Sequence, residues 1–153
     1  MNLSTTIELY NINHVHFCEP IKNNIIENSK FIKVMYSDSN IILNGIYLNI
    51  SLKKCKTEAY YNKIKCSFDL KENIHILQHM KTIEEQILRK INILDKKPLF
   101  LLQNQVYNQS LKLINNQIQI NKYYEQIHFI LKISGIWEDS TQYGLTFKFI
   151  FIY

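Results

Sequence analysis

Two hydrophobic periods divide this chain, and their order limits its fold more than any other feature. In "IILNGIYLNISLKK", residues 41–54, Ile42, Ile46, Leu48, Ile50 and Leu52 take even positions, while Gly45, Tyr47, Asn49, Ser51 and Lys53 take odd ones. Such alternation describes a strand with one buried and one wet face. "YYNKIKCSF", residues 60–68, repeats it: Ile64, Cys66 and Phe68 share one side, and Tyr61, Lys63, Lys65 and Ser67 the other. "KCKTEA" between the two runs reads as a mobile hairpin loop that carries Lys54 and Lys56. "FIKVMY", residues 31–36, is an earlier strand that ends at the turn-forming "SDSN".

The period then changes. Ile74, Leu77, Met80, Ile83, Ile87, Leu88, Ile91 and Leu94 recur at steps of three and four, the stripe of an amphipathic helix. Asn73 or Asp69 is placed to cap its start. "KPLFLLQNQVY" and "SLKLI" read as short strands or strand pieces, and "HFILKIS" and "YGLTFKFIFIY" close the chain as strands. Three strands, one helix and at least two more strands predict a mainly β fold. The expected architecture is a five-stranded Greek-key barrel of the OB type, with its helix between strands three and four.

With 153 residues, 46% of them hydrophobic, the chain suits one core, so residues 1–153 are expected to form a single domain. The start lacks a basic segment followed by an apolar run, and no stretch reaches membrane-spanning length, which predicts a soluble, intracellular protein with no membrane partner. Cys18, Cys55 and Cys66, odd in number and irregular in spacing, argue against a secreted disulfide framework.

A net charge of +5 favours an acidic partner. Yet Arg89 is the sole arginine and Ala59 the sole alanine amid abundant Ile, Asn and Lys, the usage that A+T-rich codons produce. Only the placement of the lysines therefore carries information. Between residues 53 and 65, five lysines (Lys53, Lys54, Lys56, Lys63, Lys65) face one glutamate, Glu58, so the charge is focused. The oligonucleotide surface of an OB barrel is the outer face of strands two and three with their loops, here the hairpin of residues 41–68. Its wet face and loop offer Tyr47, Tyr60 and Tyr61 among those lysines. Lysines neutralise phosphates without sequence preference, and tyrosine rings stack on unpaired bases, which a duplex hides. Lys33, Tyr36, Tyr123, Tyr124 and Lys148 form a second set of candidates. The plainer alternative is an ordinary solvated strand face inflated by codon usage.

Gly135, Trp137 and Gly144 concentrate in "LKISGIWEDSTQYGLTFKF", a terminal hairpin whose strands bracket "WEDSTQ". Trp137 shares the inward parity of Leu131 and Ile133, which favours a structural anchor; a bulge at Gly135 would reverse that parity and leave Trp137 as a base-stacking platform. "FIKVMYSDSNIILNGIYLNISL", the "IEEQIL" helix and "ILKISGIWEDSTQYGLTFKF" together resemble the small single-stranded-DNA-binding proteins of large cytoplasmic DNA viruses and of yeast cytoplasmic linear (killer) plasmids. The similarity spans roughly residues 20 to 150, and "SGIW" to "YGLTFKF" is its most specific part. It implies an OB-like fold, cooperative coating of single strands during replication of a cytoplasmic DNA element, self-association along the strand and contact with replication proteins.

Catalytic signatures are weak by comparison. His75 and His79 lie one helical turn apart, but Ile76 stands where a zinc protease needs its general-base Glu. His14, His16 and Cys18 could share a strand face, without a second compact ligand pair. Adjacent Glu84 and Glu85 read as a solvated helix face. A non-enzyme without metal or cofactor is expected. Two alternatives remain open: an RNA-binding OB module, and a non-binding assembly protein that oligomerises through edge strands.

Overall fold

The computed structural model describes residues 4–114 and 119–152, and it is mainly β with two helices. The strands are β1 (Thr5–Thr6), β2 (Val15–Phe17), β3 (Ile21–Lys22), β4 (Lys30–Ser37), β5 (Ile42–Leu43), β6 (Ile46–Tyr60), β7 (Lys63–Phe68), β8 (Lys97–Leu99), β9 (Leu111–Ile114), β10 (Tyr123–Glu138) and β11 (Gln142–Phe151). The helices are α1 (Ile74–Ile91) and α2 (Leu101–Tyr107), with a 3₁₀ turn at Ile12–His14. All eleven strands join in one mixed sheet.

Its spine is the antiparallel pair β6 and β10, in register from Ile46 opposite Ile133 to Lys56 opposite Tyr123. β6 turns back into β7, β7 pairs antiparallel with β9, β9 runs parallel to β11, and β11 returns antiparallel to β10. The pairings therefore close a circuit, β6-β7-β9-β11-β10-β6. Beyond Ile133 the other end of β10 leaves β6 and pairs with β4, which carries β2, β3 and β5. The buried side of this sheet supplies one core, with Phe129 and Phe149 edge-to-face at 5.5 Å. Leu77, Met80, Ile83, Ile87 and Leu88 of α1 are buried in that core.

The alternation predicted for residues 46–52 and 64–68 is present, but the architecture exceeds the five-strand, one-helix expectation. The helices fall between the second and third strands of the circuit, β7 and β9, not between a third and a fourth. "LLQNQVY", read as strand, is α2: Leu102 and Val106 are buried one turn apart, and a side chain from α1 caps the first turn. α1 stops at Ile91, where Asn92 adopts a left-handed conformation, so Leu94 lies outside the helix and is exposed. Asn73 takes the N-cap position without capping; its amide bonds both the backbone N–H and the carbonyl of Lys53 instead. Of the closing strand, Tyr153 lies outside the described residues.

"KCKTEA" is not a loop. β6 runs through it to Tyr60, and the hairpin turns on two residues, Tyr61 and Asn62. A left-handed φ of 54° at Lys54 resets the alternation: inward positions are even up to Leu52 and odd from Cys55 to Thr57. Lys53 and Lys54 consequently both face out. An interruption of the period made of ordinary residues imitates a loop in sequence.

Candidate nucleic-acid interface

Residues directly opposed in antiparallel strands share a face and interact across it. At the β6–β7 turn this rule gathers the outward side chains into rows. Tyr60 stands opposite Lys63, Glu58 opposite Lys65, and Lys56 opposite Ser67; Lys112 of β9 extends the second row from Lys65, and Tyr123 of β10 extends the third from Lys56. Tyr61, at the tip, is 93% exposed, and Tyr60 is 42% exposed. Their rings meet edge-to-face at 4.9 Å, and the Lys112 ammonium lies 5.5 Å from the centre of the Tyr60 ring. Such cation–π contacts hold an exposed ring in place without covering its faces entirely.

The lysines divide by their partners. Lys56 lies 3.7 Å from Glu58, both exposed, an ion pair of little energetic consequence. Lys63, Lys65 and Lys112 have no carboxylate within ion-pair distance among the described residues. Lys54 is differently committed: its ammonium donates to Glu72 at 3.0 Å, and that hydrogen bond, with Glu72's charge, raises its pKa. Lys54 thus faces the start of α1 rather than the Tyr60–Tyr61 turn, and the Lys53 backbone is tied to the same place by Asn73.

Tyr47 stands apart from the rest of the predicted set. It lies thirteen positions from Tyr60 on β6, about 40 Å of extended strand. There it sits opposite Lys132, whose ammonium is 5.4 Å from its ring centre, and Lys132 in turn is opposite Lys148. The structure therefore brings together Lys56, Tyr60, Tyr61, Lys63 and Lys65, and leaves Tyr47 in a second, smaller cluster. Of the reserve candidates, Tyr123 is exposed, Tyr124 carries Lys122 4.9 Å from its ring, and Lys33 is exposed on β4. Tyr36 is buried and its hydroxyl accepts the Asn11 N–H, so it presents no stacking face. Lys112 and Lys132 were missed, although Lys112 occupies the polar position between Leu111 and Leu113.

Trp137 is half-buried and does not share the side of Leu131 and Ile133. The register with β11 slips between Ile133 and Gly135, so Ile136 and Glu138 turn inward and Trp137 outward. This is the parity reversal a bulge produces. A Cβ on Gly144 would lie 3.1 Å from the indole, and one on Gly135 would lie 2.6 Å from the Phe31 ring. The two glycines are thus the floors on which two aromatic rings rest. Trp137 also lines a groove of about 560 Å³ between α2 and β11, together with Phe147, Asn104, Asn108 and Lys112.

The acid–base chemistry lies elsewhere. Glu84, expected on a solvated face, is fully buried, and burial raises its pKa to about 7 against the lowering effect of two backbone N–H donors. Those donors belong to Leu102 and Gln103, so its role is to cap α2. His75 and His79 are exposed on α1, His14 packs edge-on against Tyr36, and His16 is exposed. Among the described residues, no three His, Cys, Asp or Glu side chains come together as metal ligands would. Cys55 and Cys66 are buried neighbours on paired strands, and the hydrogen bond between their thiols, together with burial, pushes the Cys66 thiol up. No described helix is long and apolar enough to cross a membrane. No protein-family model matches this chain, and no curated protein or solved structure is significantly similar to it.

Proposed function

We propose that this chain binds single-stranded DNA without strong sequence preference, on the outward face formed by the end of β6, β7 and β9. The observation that carries the proposal is the pair of exposed rings, Tyr60 and Tyr61, flanked by Lys63, Lys65 and Lys112, none of which has an acidic partner among the described residues. Exposed aromatic faces stack on unpaired bases at roughly 1–3 kcal/mol each, and unpaired ammonium groups are free to replace counterions on phosphates. A duplex offers the phosphates and withholds the base faces.

We read the five-strand circuit as an OB-type barrel. Numbered along the chain, β6, β7, β9, β10 and β11 neighbour one another in the order one, two, three, five, four, and back to one. In that fold the oligonucleotide surface is the face of strands two and three with the loop joining strands one and two. Here those are β7, β9 and the Tyr61–Asn62 turn, the same elements that carry the lysines and the exposed rings. Helices between strands two and three make this an unusual member of such a class. Coating of single strands during replication in the cytoplasm, with self-association along the strand, follows from the resemblance noted in sequence. The rival assembly role through the terminal strand has little edge to use, because β11 pairs with β10 on one side and on the other with β8 at 142–144 and β9 at 149–150, which leaves only 145–148 without a strand partner among the described residues.

The test is titration of the full chain with fluorescent single-stranded DNA, duplex DNA and RNA of one length at two salt concentrations. The expected order is single-stranded DNA tighter than duplex, with affinity falling as salt rises. Equal affinity for duplex would remove stacking from the mechanism. Tighter binding of RNA would make the chain an RNA-binding module, and no binding to any strand would reject the proposal.

A further inference from the structure

We propose that the groove beside Trp137 holds one unpaired nucleobase of the bound strand, an inference that rests on the single-strand binding proposed above. The groove is reached from the basic face without a gap, because Lys112 belongs to both: it lies 5.5 Å from the Tyr60 ring centre and also lines the groove. A strand laid across Lys63 and Lys65 therefore passes the groove mouth with a phosphate at Lys112.

The lining suits a heterocycle better than an apolar segment. Trp137 and Phe147 supply aromatic surface, and Asn104 and Asn108 supply carboxamides four residues apart. Each carboxamide donates and accepts, so it can match the edge of any base. No acidic side chain is among the lining residues, which leaves Lys112 as the only charge and favours an anionic ligand. The volume of about 560 Å³ lies within the range of small-molecule sites, roughly 300–1,000 Å³.

Two further observations point to an occupant. The side-chain oxygen of Gln105, which also lines the groove, is buried with no hydrogen-bond partner among the described residues, and its soft terminal torsion would let it turn toward a donor on a base. In addition, β11 pairs with β8 at 142–144 and with β9 at 149–150, so among the described residues its edge facing the groove has no strand partner at 145–148.

Trp137 is the chain's sole tryptophan, so its emission reports this groove alone. The full chain is titrated with labelled oligothymidylate while anisotropy of the label and emission of Trp137 are followed together. The expected result is quenching that saturates in step with anisotropy. The double variant Asn104→Ala, Asn108→Ala should bind about tenfold more weakly, the scale of one or two lost hydrogen bonds to a base, with less quenching and an unchanged Tm, since both side chains are exposed. If anisotropy reports binding while emission and the double variant's affinity stay unchanged, the groove is empty of base and only this inference falls. If no oligonucleotide raises the anisotropy, the binding function falls and this inference with it.

Discussion

Glu84 accepts the backbone N–H of Leu102 at 2.8 Å, so a carboxylate from the middle of α1 closes the first turn of α2. Its second oxygen takes the N–H of Gln103 at 3.0 Å. The arrangement settles where α2 begins and thereby where Asn104 and Asn108 face the groove. Because desolvation outweighs these two bonds, the folded-state pKa is about 7, above the ordinary 4.5. The folded chain therefore holds this proton more tightly than the unfolded chain. Stability should fall as pH rises from about 4.5 to about 7 and level off above it, by roughly 3 kcal/mol at most from this group. Urea denaturation at pH 5 and pH 8 measures it. Glu84→Gln should flatten that interval; an undiminished pH dependence in the variant would assign the effect to another group.

The contact of Phe31 with Gly135 predicts an asymmetry between two glycines. A Cβ at position 135 would collide with the Ile32 carbonyl oxygen and meet the Phe31 ring at 2.6 Å, in the bulge where β10 passes from β6 to β4. Backbone and a packed ring cannot both retreat. Gly135→Ala should cost about 1–3 kcal/mol or more. At Gly144 the nearest atoms are the Leu99 oxygen at 3.0 Å and the indole at 3.1 Å, so Gly144→Ala should cost less and shift the emission of Trp137. Equal losses in chemical denaturation would show that Phe31 yields as readily as Trp137.

Partners separate the lysines functionally. Replacing Lys63, Lys65 and Lys112 together with Gln should lower the slope of log affinity against log salt by about two, at about 0.7 per lost phosphate contact on single strands. Lys54→Gln should change it little, because Lys54 is engaged by Glu72. Affinity measured at four salt concentrations distinguishes them. A larger effect from Lys54 than from the triple variant would move the strand's path toward the start of α1.

How far these relationships were legible in sequence depended on whether local period alone fixed them. The alternation of Ile46 to Leu52 and of Ile64 to Phe68 is a backbone property, and it survived into β6 and β7. The reset at Lys54 is hidden because it needs no distinctive residue at the point of slippage; at 135 the glycine permits a bulge, but local period does not decide whether one forms, and each slip inverts the assignment of everything beyond it. The first makes the segment of Lys54 and Lys56 imitate a loop, and the second turns Trp137 from the inner side to the outer. Glu84 was unreadable for a different cause: its burial depends on α2, which "LLQNQVY" specifies only once a neighbouring carboxylate satisfies its free N–H groups. Lys112 alone was within reach, since "LKL" already marks it as the outward residue of a strand.

The Tyr61 turn should show stability and binding moving in opposite directions. Tyr61 holds a left-handed φ of 51°, a conformation that costs an L side chain about 1–2 kcal/mol and glycine nothing. Its ring is 93% exposed, so the fold gains little burial in return. Tyr61→Gly relieves the strain, and the greater freedom of an unfolded glycine takes back up to about 1 kcal/mol. Thermal stability should therefore stay level or rise by up to about 1 kcal/mol. Binding to single-stranded DNA should weaken roughly 5- to 150-fold, the equivalent of about 1–3 kcal/mol for one lost stacking surface, with the salt slope unchanged because no charge is removed. Tyr61→Ala should lose the same affinity while keeping the strain. Melting curves and anisotropy titrations of the two variants give both quantities, and parental affinity in both would place the strand away from this turn.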